Sequence, residues 1–117
     1  MAKRQLTAEE KTKLDALRAT HGEVKPYVLG DGRFVAIRAC NSFERVQMVK
    51  GATAKPERDG TTRIAETHSE IAPEVIVLPE TREEALALLR KFPALNERFA
   101  QDAFEMAEGG IEELGNV

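Results

Sequence analysis

The 117-residue sequence predicts an α+β fold, mainly helical, with one N-terminal β-hairpin. Three observations predict it. Three segments open with the pattern of a helix capping box. Two β-leaning runs flank Gly30-Asp31-Gly32. The remaining apolar residues recur at helical spacing.

The first element is a helix over 8–21. In Thr7-Ala8-Glu9-Glu10 the Thr7 hydroxyl can accept from the Glu10 N–H while the Glu10 carboxylate reaches back to the Thr7 N–H. Gly22 suits a left-handed stop, and His21 sits at the C-terminal end, where positive charge is favoured. Only Leu14, Leu17 and a few alanines are apolar, so this helix is expected to lie on the surface of something else. The hairpin spans 24–39. With Asp31-Gly32 as a two-residue turn, Leu29 faces Phe34 and Tyr27 faces Ala36. Pro26 lacks an N–H and puts the first strand at a sheet edge.

Asn41-Ser42-Phe43-Glu44 opens a second helix, with Phe43, Val46, Met48 and Val49 at helical spacing to about Lys50. A mobile loop is expected over about 51–62, around Pro56 and Gly60. A further helix over 62–72 aligns Ile64, Ala65, His68, Ile71 and Ala72. The proline-bracketed run Pro73 to Pro79 is expected to be extended, as a third short strand or a linker pressed onto the core. Thr81-Arg82-Glu83-Glu84 opens a helix over 82–91 with Ala85, Leu86, Leu88, Leu89 and Phe92 on its apolar side. Pro93 ends that helix, and the last one runs over 94–107 until Gly109-Gly110. Residues 111–117 read as a short acidic tail, and the whole chain, 1–117, as a single domain.

Composition narrows the function classes. No apolar run approaches the roughly 18 residues needed to span a bilayer, and Met1 to Gln5 lead into a charged segment without the apolar stretch of a secretory signal. Residues 1–60 carry 12 Lys+Arg against 8 Asp+Glu, and residues 61–117 carry 5 against 12. The cations are spread singly among acids, which argues against a nucleic-acid surface. Head-to-tail self-association of a basic half with an acidic half uses the same asymmetry.

No chemistry-bearing cluster emerges, so no catalytic, cofactor-binding or metal-ligating residue is assigned and no enzyme is expected. His68, between Ile64 and Ile71, reads as a hydrogen-bonded core residue; Glu66 and Glu70 lie off its face and make a poor metal box. The single cysteine, Cys40, cannot form an internal disulfide, and it lacks an adjacent cationic group on a helix start that would activate it, although Arg38 is near in sequence. Gly30-Asp31-Gly32 feeds a strand rather than a helix, unlike a phosphate-binding loop. What remains is apolar surplus. Leu86, Leu89, Phe92, Leu95, Phe99, Phe104 and Met106 cover too wide an arc for burial on one side. Phe99 and Phe104 lie about 140° apart around a helix, so one is expected in the core and the other on a neighbour. Phe92, Leu95, Phe99, Phe104 and Met106 are the candidate partner-binding residues.

The layout resembles the small tail assembly chaperones of tailed bacteriophages. The stretch Leu6 to Gly22 resembles their charged, Gly-ended N-terminal helix, and Val24 to Arg38 their strand pair around a tight turn. Val75-Ile76-Val77-Leu78-Pro79, the Leu-rich Ala85 to Leu89, the Phe92-Pro93 break and Ala94 to Gly109 follow in the group's order. Cys40-Asn41-Ser42-Phe43-Glu44 matches their aromatic, acid-rich middle helix in part. The resemblance implies a non-enzymatic viral protein in the host cytoplasm that binds the tape-measure protein and keeps it soluble during tail assembly. Self-association is expected from the charge asymmetry and the apolar surplus, and neither a membrane nor a cofactor is expected as a partner. Two alternatives stand beside it: a structural head or tail accessory protein of the virion, and a small nucleic-acid-binding regulator that uses the basic N-terminal half.

Overall fold

The computed structural model describes residues 4–53 and 60–115. The element order is α1 (Ala8–His21), β1 (Val24–Val28), β2 (Phe34–Arg38), α2 (Ser42–Thr53), α3 (Gly60–Val75), β3 (Ile76–Leu78), α4 (Arg82–Lys91) and α5 (Leu95–Gly115). The α+β class holds, but the hairpin is part of a three-stranded antiparallel sheet in the order β1-β2-β3.

Sheet faces follow from strand alternation. Val35 and Ile37 point to one side, where they meet Ile71, Ala72 and Val75 of α3, Ala85, Leu88 and Leu89 of α4, and Phe99, Ala100 and Ala103 of α5. Ala36, Val24 and Val77 point to the other side and are covered by Leu14 and Leu17 of α1. The narrow apolar stripe of α1 is thus matched to a narrow task, closing the back of a small sheet.

The local signals at helix starts translate directly. Thr7 and Glu10 form the full capping box, with the Glu10 N–H donating to Thr7 Oγ1 at 3.1 Å and the Thr7 N–H donating to Glu10 Oε1 at 2.9 Å. Asn41 and Glu44 form another at 2.8 and 3.0 Å. At α4, Thr81 Oγ1 accepts from the Glu84 N–H, but the Glu84 carboxylate accepts from the Thr81 hydroxyl.

Four expectations are corrected. The hairpin register pairs Tyr27 with Val35 and Val28 with Phe34, one residue away from the expected pairing. Only Gly32 of the turn has positive φ, and Leu29 closes the loop through bonds with Gly32 and Arg33. Gly30-Asp31-Gly32 is therefore a three-residue loop with a left-handed glycine last, not a two-residue turn with two positive φ values. The expected loop over 51–62 is shortened from both ends, since α2 reaches Thr53 and α3 starts at Gly60; its centre, 54–59, lies outside the described residues. Pro73 lies inside α3 rather than in extended chain. The last turn of α3 stays helical because Ile71, Ala72 and Val75 are all buried in the main core, which outweighs the bond that proline removes. The extended run shrinks to β3, which is the third strand. Finally, α5 continues through Gly109-Gly110 to Gly115, well past the expected end at 107. Each glycine costs a helix only about 1 kcal/mol relative to alanine, too little to stop it.

A candidate docking groove on the helical face

Following β2 in the chain, α2 packs against α3 and α5. Its N-terminus is fixed by a buried ion pair. Arg38, at the end of β2, donates to both oxygens of Glu44 at 2.7 and 2.9 Å and also to the Glu74 carbonyl at 3.0 Å. Burial opposes ionisation of Glu44, but the Arg38 bonds and the Asn41 N–H outweigh it and hold the carboxyl below its ordinary range. Farther along, Arg45 pairs with Glu108 of α5 and lies 6.0 Å from the Phe104 ring centre. The C-terminal part of α2 meets α3 at Gly51, where a Cβ would come 2.3 Å from Thr67 Oγ1 and 2.9 Å from Thr67 Cβ. Only a residue without a side chain permits this approach.

With α2 held so, its apolar stripe points outward. Phe43 is 70% exposed, Val46 49% and Val49 49%, and Ile64 of α3 is 38% exposed. Beside this ridge lies a mostly apolar groove of about 590 Å³, lined by Met48 and Val49 of α2, Ile64 and His68 of α3, and Phe104 and Glu105 of α5 among others. His68 is buried in its wall.

The sequence-derived partner set divides. Phe99 is wholly buried, with its ring centre 4.9 Å from that of Tyr27. Its expected partner role therefore gives way to packing. Phe92, Leu95 and Met106 are half-buried against the main core and do not line the groove. Phe104, also half-buried, is the one member that does. Of the expected pair, Phe99 is the one inside, while Phe104 packs partly on the main core and partly lines the groove. The ridge was visible in the sequence as helical spacing at 43, 46 and 49; what the spacing could not give was which face of α2 meets the protein.

Elsewhere, the cations along edge strand β1 are paired. Arg4 binds Glu10, and Lys25 and Arg98 both reach Asp102 Oδ2, which also accepts from the Tyr27 hydroxyl at 2.5 Å. Burial and the adjacent Asp102 carboxylate push the Tyr27 hydroxyl well above its ordinary pKa. Burial pushes the Cys40 thiol up to about 11, so it is a poor nucleophile at neutral pH. Among the described residues, no group of three His, Cys, Asp or Glu is arranged to hold a metal ion, and no helix is long and apolar enough to cross a membrane. Comparison with protein-family models, with curated proteins and with solved structures finds no match for the chain.

Proposed function

We propose that the protein is a non-enzymatic tail assembly chaperone of a tailed bacteriophage, acting in the host cytoplasm on the tape-measure protein. The observation that carries this reading is the exposed apolar groove between α2, α3 and α5, lined by Met48, Val49, Ile64 and Phe104. A groove between helices takes an amphipathic helix whose anchors recur at i, i+3, i+4 and i+7. A tape-measure protein is long and helix-prone, and before the tube encloses it, its apolar stripes are open to aggregation. Covering one stripe with a shallow groove keeps the client in solution and lets it go when tube subunits offer more contact.

Peptides tiling the tape-measure protein encoded in the same genome supply the test. Fluorescence anisotropy should detect binding of apolar helical segments, and Ile64→Asp should abolish it while leaving the circular dichroism spectrum unchanged. Mass spectrometry of purified particles should find the tape-measure protein without this chain; finding the chain would favour the structural virion reading. Retention on DNA that falls steeply with salt would favour the nucleic-acid reading.

A further inference from the structure

The ridge and the groove share one face of the molecule, and Val49 belongs to both. We infer that, without a client, this face is covered by a second copy of the chain, the Phe43–Val46 ridge of each copy lying in the groove of the other. A two-fold axis between ridge and groove satisfies both at once, because an isologous contact sets patch i on j and j on i.

Charge points to the same occupant. Lys50 falls 40° from Val46 and 20° from Phe43 around α2 at 100° per residue, within the outward arc. Of the other charged side chains described on α2, Glu44 is buried against Arg38 and Arg45 is paired with Glu108. On α2 the ridge therefore presents one cation and no acid, while Glu66 and Glu70 of α3 border the same hollow as Lys50 on the side away from the groove. The groove presents Glu105 at its α5 side. Lys50 and Glu105 make no ion pair within the copy among the described residues. Docking the ridge brings a cation to an anion twice, once on each side of the axis. Four exposed apolar side chains per copy form a small patch beside the roughly 800 Å² per partner of a standard stable interface, so the dimer is weak and concentration-dependent.

The dimer stands on the chain alone. Its consequence, that self-association and client binding exclude one another, rests on the chaperone reading. Sedimentation velocity of the full chain across a concentration series tests the dimer. The expected result is a monomer–dimer equilibrium that is lost in Val46→Glu with an unchanged circular dichroism spectrum. Lys50→Glu and Glu105→Lys should each weaken it, and the double charge reversal in one chain should restore it. A wild-type chain that stays monomeric throughout, or a dimer that persists in Val46→Glu, would overturn the proposal. A client arm then separates the two readings. Val46 does not line the groove, so Val46→Glu should bind a tape-measure helix peptide at least as tightly as wild type, whereas Ile64→Asp should lose both peptide and dimer. Client binding by a chain that never dimerises overturns the dimer alone, and a dimer with no peptide affinity overturns the client reading alone.

Discussion

Gly51 is the position where one methyl group decides the placement of an element. Its α-carbon faces the stiff, β-branched Thr67, which is buried and cannot swing aside. Gly51→Ala gains helix propensity worth about 1 kcal/mol but forces α2 away from α3, and overpacking of this kind costs about 1–3 kcal/mol. The expected net is a lower melting temperature, and thermal unfolding followed by circular dichroism checks it. The phenylalanines differ as sharply. Phe99→Ala removes a wholly buried ring and should cost about 3–5 kcal/mol, read from urea midpoints. Phe43→Ala, at a side chain 70% exposed, should leave the midpoint nearly unchanged. In the sequence these two residues look alike, each an aromatic at helical spacing from other apolar residues. Exposure depends on which face of α2 the Arg38–Glu44 pair and Gly51 press inward, and that is set by contacts distant in sequence.

At the scale of elements, the start of α2 carries a pH dependence. Glu44 titrates lower in the folded chain than in the unfolded one, so the unfolded chain takes up its proton first as pH falls. The stabilisation is complete above the ordinary glutamate range near pH 4.3 and is lost as pH drops through the folded value. Glu44→Gln should cost about 1.5–3 kcal/mol at neutral pH, the range for hydrogen bonds to a charged group. It should also flatten the stability profile below pH 5, measured by denaturant titration at stepped pH. Some acid dependence should survive in the variant, because the Arg4 hydrogen bonds hold Glu10 down to about 2, and bonds from Tyr27, Arg98 and Lys25 hold Asp102 low against its burial. The element scale is also where the sequence was most legible. Helix starts are fixed by residues three apart, so the Thr7, Asn41 and Thr81 caps were readable directly. Hairpin register was not, because Gly30-Asp31-Gly32 serves a two- or a three-residue loop and the choice turns on the φ of Asp31. Nor was the end of α5, since no local signal outweighs a helix already propagating through Gly109-Gly110.

At the scale of the molecule, the sheet separates two apolar clusters of unequal size. The cluster on the α3–α5 side draws on five elements, while the one beneath α1 consists of Leu14, Leu17, Val24, Ala36 and Val77, with Leu6, Phe34 and Leu78 at its margin. Two leucines, a capping box and surface pairs such as Lys13 with Glu80 hold α1 in place. Surface pairs contribute at most about 1 kcal/mol each. A helix so attached is expected to open as a cooperative unit of its own, lifting off while β2 stays clamped against Phe99 and Ile71. Native-state amide exchange should therefore show α1 protons opening at a lower free energy than those of α5 around 99–103, and at one shared value along the helix. Protection of α1 equal to that of α5 would mean that both sides of the sheet open together. In the lifted state Val24, Ala36 and Val77 meet water, so a protease cutting within 8–21 would leave behind a sheet with one bare apolar side.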